Sequence, residues 1–187
     1  AVYRINEQGS VTRTDNKLDM AIDGRGWFQV LLPSGETAYT RAGNFSTNDQ
    51  GQIVTDDGFL VQPTMTVPQD ATDISISRTG QVQVFTEGQT EPTIIGQIEL
   101  ATFFNEAGLE AIGDNLFMET GASGAANVST PGESGFGTLM QGYTEASNVD
   151  AVSEITALIV AQRAYEMNSK VISTADQMLA ATSQVKS

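Results

Sequence analysis

The chain has 187 residues, room for one domain or two small ones, and 40% hydrophobic content is enough for a core. Nine basic against 23 acidic side chains give a formal charge of −14, which leaves no basic stripe for nucleic acid and no attraction to an anionic membrane. The lack of Cys and His removes disulfides, thiolate nucleophiles, zinc–thiolate sites and the commonest general base.

No apolar run approaches the roughly 18 residues of a spanning helix, and no charged n-region with an h-region marks a cleavable secretory signal. Residues 1–18 are polar and read as an extended lead-in segment. From Leu18 the texture changes. Short apolar runs at 27–32, 36–41, 52–55 and 59–62 alternate with Asp23-Gly24, Ser34-Gly35, Ala42-Gly43-Asn44, Gln50-Gly51 and Asp57-Gly58. Glycine turns at hairpin spacing predict an antiparallel β-meander. Pro63 and Pro68 bound a connector. Strands are expected at 73–77 and 81–86, then along 94–104, the longest β-like run, and at 116–118. Residues 105–113 read as a loop with room for one helical turn, and 121–137, rich in Gly, Ser, Ala and Asn, as a surface loop.

Residues 147–187 contain no Gly or Pro, although the chain has 18 and 5 of them. Ser147 with Asp150 reads as a capping box, and Glu154 and Lys186 suit the two ends of a helix dipole. Leu158, Ala161, Tyr165, Asn168, Ile172, Ala175, Leu179 and Thr182 recur at steps of three and four. Ala157, Ala164, Val171, Met178 and Val185 form a second row, and Gln162, Arg163, Glu166, Ser169, Lys170 and Ser173 the opposite face. The pattern predicts a helix of roughly 35 residues, about 50 Å long, with a coiled-coil period. Its apolar face packs either on the chain's own β-layer or on another chain or a segment outside this sequence. The expected class is α+β: an antiparallel, meander or barrel-like β-domain over 1–146, then a coiled-coil-type helix over 147–187.

Candidate chemistry is thin. Asp19, Asp23, Asp49, Asp56 and Asp57 crowd turns without the ligand spacing of a calcium loop, and Asp in a turn usually caps its own backbone. The pair Asp56-Asp57 and the isolated Glu99, Glu106 and Glu110 offer no context for glycoside hydrolysis. Gly24-Arg25-Gly26 precedes a strand and not the helix that a phosphate loop requires. Trp27 with Tyr39 could form a sugar-stacking platform, the basis of an alternative reading as a secreted carbohydrate-binding or adhesin-like β-domain with a helical stalk. Alternation places Trp27 or Phe28 in the core. No cofactor, metal or catalytic residue is expected.

Two stretches are more specific. One is Asn16-Lys17-Leu18-Asp19-Met20-Ala21-Ile22-Asp23-Gly24-Arg25-Gly26-Trp27-Phe28, continued by Tyr39-Thr40-Arg41-Ala42-Gly43-Asn44-Phe45 and Gly51-Gln52-Ile53-Val54-Thr55. The other runs from Gln141 through Ser147-Asn148-Val149-Asp150 to Gln162-Arg163-Ala164-Tyr165-Glu166-Met167-Asn168-Ser169-Lys170. Together they resemble the signatures of the bacterial flagellar rod and hook family. The middle, through Gly96–Leu100, 103–110 and 113–116, is similar to its distal-rod branch. The resemblance implies a non-enzymatic subunit that polymerises with itself into a helical tube, the drive shaft between motor and hook. It implies neighbouring proximal rod and hook subunits, surrounding P and L rings and the flagellar export machinery as partners, with no nucleic acid and no membrane insertion. The implied location is the basal body in the periplasm, reached without a cleavable signal. Family members carry an N-terminal helical segment ahead of the first motif, so the resemblance implies a longer natural chain. Leu158, Ala161, Tyr165, Asn168, Ile172, Ala175 and Leu179 would form the assembly seam, with Asn168 fixing register. Asn16, Leu18, Asp19, Gly24, Gly26 and Phe28 would shape the β-domain, and Ser147 and Asn148 would open the helix.

Overall fold

The computed structural model describes residues 8–89, 91–149 and 151–185, apart from the side chains of Ala151, Asp176 and 179–185. The chain divides into two compact units, Ala1–Ala146 and Ser147–Ser187. The first holds β1 (Val11–Arg13), β2 (Met20–Asp23), β3 (Phe28–Leu31), β4 (Thr37–Thr40), β5 (Phe45–Thr47), β6 (Ile53–Thr55), β7 (Leu60–Gln62), β8 (Ala71–Ile76), β9 (Gln81–Thr86), β10 (Thr93–Gln97) and β11 (Leu100–Thr102). A 3₁₀ turn (Glu106–Gly108) follows, then β12 (Glu110–Gly113), β13 (Leu116–Met118), β14 (Asn127–Ser129), β15 (Thr138–Gln141) and β16 (Tyr143–Glu145). The second unit is α1 (Ala151–Val185).

Turn chemistry closes the hairpins. Between β3 and β4, Gly35 N–H donates to Leu32 O and Leu32 N–H to Glu36 O. Between β6 and β7, Gly58 N–H donates to Thr55 O at 2.9 Å. Asp114 and Asn115, both at positive φ, join β12 to β13, the conformation that a two-residue hairpin turn demands. The main sheet has seven antiparallel strands in the order β12-β13-β4-β3-β7-β6-β5. It is therefore not a simple meander: the β5–β7 run folds back onto β3, and β13 from later in the chain takes the free side of β4. Nor does it close into a barrel. Its outer strands β12 and β5 each have one partner, and the remaining described strands form separate sheets: β8–β9–β10, β2–β15, β11–β14 and β1–β16.

Three expectations from the sequence need correcting. The run 94–104 is two strands, because Ile98 N–H leaves the ladder to donate to Gly80 O at 2.7 Å. Alternation then fails: Leu100, Ala101 and Thr102 are all buried, with Leu100 in the main core and Ala101 in a second cluster. The surface loop 121–137 contains β14, paired to β11, and the lead-in segment contains β1, paired to β16. Three-residue strands carry too little periodicity to announce themselves, and these pair over long sequence separations.

Two cores lie on either side of β3. Phe28 and Val30, both fully buried, face Met20, Ile22, Ile53, Val61, Ile98 and Leu139. Trp27 instead joins Tyr39, Ala101 and Phe103. Edge-on ring pairs mark both: Phe28–Phe45 at 5.1 Å in the first, Tyr39–Phe103 at 4.8 Å in the second. Burial, and secondarily Glu119, pushes the Tyr39 phenol above its ordinary range.

The family-motif residues cluster where backbone meets backbone. Asp19, 8% exposed, accepts from Thr14 Oγ1 at 2.6 Å and Asn16 Nδ2 at 2.9 Å, while its carbonyl accepts from Gly142 N–H. Leu18 packs on the edge of the main core. Gly43 has no room for a side chain: its carbonyl accepts from Met20 N–H at 2.9 Å, and a Cβ there would lie 1.6 Å from Met20 O. Gly26 combines φ +145° with Leu100 packed against it. Arg41 is the hub. Its guanidinium donates to the carbonyls of Gly24 and Gly26 and, through Nε and Nη2, to Glu145 Oε2 at 3.0 and 2.8 Å. The other carboxylate oxygen of Glu145 accepts from Gly9 N–H at 2.8 Å.

The side chains of Arg41 and Glu145 are 18% and 9% exposed. Removing one partner strands the other, at a cost near that of breaking a partly buried pair. Arg41→Ala is expected to destabilise the first unit by about 2–4 kcal/mol in urea denaturation, and Arg41→Lys to restore little of it, because an ammonium lacks the planar fork. Gly43→Ala should cost more than Gly35→Ala, since Gly35 has open space around it.

Candidate assembly interface

Seen by itself, α1 is one uninterrupted helix of 35 residues, about 50 Å long. Every side chain described along it is exposed. Leu158 (70%), Tyr165 (78%) and Ile172 (64%) are open to solvent, as are Ala161, Asn168 and Ala175. At about 100° per residue these six fall within an arc of about 100°. The structure thus places them on one face. Leu179 has a helical backbone, but its side chain lies outside the described residues, as do those of Thr182 and Val185.

The apolar surface is wider than the seam. Val160, Met167, Val171 and Met178 are 61–66% exposed and form a second stripe beside it, bridged by Ala157 and Ala164. Together the two stripes cover roughly half the circumference. Val152, Ile155 and Ile159, also exposed, lie on the side that becomes polar further along, where Gln162, Glu166, Ser169, Lys170 and Ser173 stand. The first three turns consequently carry apolar side chains on every side, with Ser153, Glu154 and Thr156 between them. A helical wheel extended back to residue 151 shows this from sequence. Reading the pattern from Leu158 onward misses it.

Ser147 and Asn148 lie exposed in the link ahead of α1. Ser147 Oγ accepts from Val149 N–H at 3.1 Å, bracing that link. Asp150, and with it the expected capping box, lies outside the described residues. Within the helix Gln162 Nε2 donates to Glu166 Oε1, and Thr156 and Thr174 bond back to carbonyls one turn earlier.

The first unit offers little chemistry by comparison. Trp27 and Tyr39 are 2% and 6% exposed, so neither is a surface platform for a sugar. Arg25, between the two motif glycines, pairs with Glu106 at 3.1 Å and donates to Phe103 O. Among the described residues no group of carboxylates is placed to hold a metal ion.

Comparison with known proteins falls on both units. The family model described as the flagellar hook protein FlgE/F/G D1 domain matches residues 21–84. The model described as the flagellar basal body rod FlgEFG protein C-terminal matches residues 140–185, which take in the end of β15, β16 and α1. A flagellar basal-body rod protein FlgG of Caulobacter vibrioides is 73% identical over 187 residues, covering 100% of this chain and 71% of that protein. One from Agrobacterium fabrum is 53% identical over 184 residues, covering 98% and 70%. A flagellar hook protein FlgE of Salmonella typhimurium is 43% identical over 112 residues, covering 60% and 28%.

An isolated helix draws most of its stability from packing. The ellipticity of α1 is therefore expected to rise with protein concentration while the β signal stays constant. A concentration-independent, cooperatively melting 35-residue helix in a dilute monomer would contradict this. Trp27 should fluoresce at a blue-shifted maximum that added glycans do not move.

Proposed function

The chain belongs to the flagellar basal-body rod and hook family, and we propose that it works as a structural subunit of the distal rod, polymerising into the tubular shaft between motor and hook. Relatives that match nearly the whole chain are named rod proteins, whereas the hook protein shares only part of it. The observation that carries the mechanism is α1, whose exposed apolar surface is too wide for one neighbour and reaches every side in its first turns.

On this reading the work is mechanical and needs no catalytic step. Residues 147–187 form the assembly element, and residues 1–146 form a separate body. Leu158, Ala161, Tyr165, Ile172, Ala175 and Leu179 pack against helices of other subunits, with Asn168 fixing register in that seam. Each large apolar side chain covered contributes about 1.5–3 kcal/mol, so a stripe of them supplies a polymer contact of ample strength. Asn16, Asp19, Gly24, Gly26 and Phe28 serve the stiffness of the body, through close backbone packing and the Arg41 hub. The same reading places the polymer in the periplasm, inside the P and L rings and next to proximal rod and hook subunits. The flagellar export machinery delivers it there.

Leu158→Asp and Ile172→Asp test the seam in a strain that relies on this gene. Each variant should abolish swimming and leave no rod beyond its proximal part in purified basal bodies, while the β-unit melts as in the parent protein. Normal swimming with either variant would refute the seam.

A further inference from the structure

The chain has six methionines and no cysteine, so thioethers are its only sulfur. Four of them belong to the first unit and are shielded. Met20 (0% exposed) and Met65 (3%) lie in the main core, and Met118 and Met140, on β13 and β15, are half-buried. Met167 and Met178 differ: both stand on α1, at 64% and 62% exposure. Eleven positions separate them, which puts them about three turns apart and within about 20° of each other around the helix. They line one groove of about 420 Å³, with Val171 and Ala175 among its walls. The two accessible sulfurs thus share a face, and that face is the second apolar stripe.

Building on the reading of the chain as a polymer subunit, we infer that Met167 and Met178 form a reversible oxidation site whose sulfoxides close α1 to other copies. The oxidant is a hydroperoxide, of which hydrogen peroxide is the simplest. The thioether sulfur attacks one peroxide oxygen. An S–O bond forms, the O–O bond breaks, and sulfur gives up two electrons. The leaving hydroxide takes the proton shed by the transferred oxygen, so water is the other product. No thiolate in the chain competes, because Cys is absent, and the Trp27 indole is shielded at 2% exposure. The sulfoxide is a polar, chiral group where packing requires a flexible apolar one. Its oxygen bonds to water on an open helix and is left unpaired in a packed stripe. Oxidation therefore acts on the subunit before assembly and spares one whose stripe is covered. Reductases of the methionine sulfoxide class restore the thioether.

Limited treatment of the dilute chain with hydrogen peroxide, read by peptide mass spectrometry, should oxidise Met167 and Met178 roughly tenfold faster, or more, than Met20 and Met65. Melting of the first unit should not change. Sedimentation should show self-association of the oxidised chain weakened roughly tenfold or more, and a methionine sulfoxide reductase should restore it. A chain carrying both Met167→Leu and Met178→Leu keeps volume and apolar character, and its association should be indifferent to peroxide. Oxidation that begins in the first unit, undiminished association of the oxidised parent, or an equal loss in the leucine variant would each overturn the site. Association that survives peroxide removes the oxidation site alone and leaves the rod reading standing. A chain that associates neither before nor after treatment counts against both.

Discussion

The Arg41–Glu145 clasp is the contact on which the first unit depends. Two residues 104 positions apart meet through paired hydrogen bonds to one carboxylate oxygen. The rest of the guanidinium bonds the carbonyls of Gly24 and Gly26, which the glycine turn 24–26 aims at it. Those carbonyls converge because Gly24 and Gly26 take backbone conformations closed to other residues. Without a planar, multi-donor cation between them, the carbonyl of the buried Gly26 would be left unpaired, at a cost of about 1–3 kcal/mol, while that of the exposed Gly24 would turn to water. Glu145 then passes the constraint on to Gly9 N–H, and so to the pairing of β1 with β16. The first and last strands of the unit are in this way tied to its central glycine turn.

A body stiffened like this suits a part that carries load, and α1 shows what it is attached to in sequence. A monomer rarely leaves so large an apolar surface open. The charge explains the form that surface takes. Copies of a stretch that carries a formal charge of −14 gain nothing from net charge at range, so uncharged, geometrically specific contacts suit them. The two stripes along α1 form a surface of this kind.

The parts of the fold written in local chemistry were legible in sequence. Glycine turns marked the β3–β4 and β6–β7 hairpins, and the stretch free of Gly and Pro marked α1. Trp27 and Phe28 were expected to include a core residue, and both are buried, because β3 has a core on each face. What depended on distant pairing was not legible. No pattern links Arg41 to Glu145, or β1 to β16. The break at Ile98 comes from Gly80 receiving its N–H, an acceptor 18 residues away. A meander or barrel-like sheet was expected because short strands and glycine turns describe either. Strand order decides that question, and β7 pairing with β3 is invisible to periodicity. On the helix, the seam was read from spacing, while the further apolar residues at its start, Val152, Ile155 and Ile159, needed the whole circumference.

The central claim is that the exposed apolar surface of α1 is an assembly surface. Amide hydrogen exchange across residues 152–178, compared between the dilute chain and intact basal bodies, addresses it most directly. The account predicts fast exchange in the dilute chain. In the basal body it predicts strong protection, greatest in the first three turns, with little change in the already protected strands β3, β4 and β7. Equal exchange of α1 in both states would contradict it.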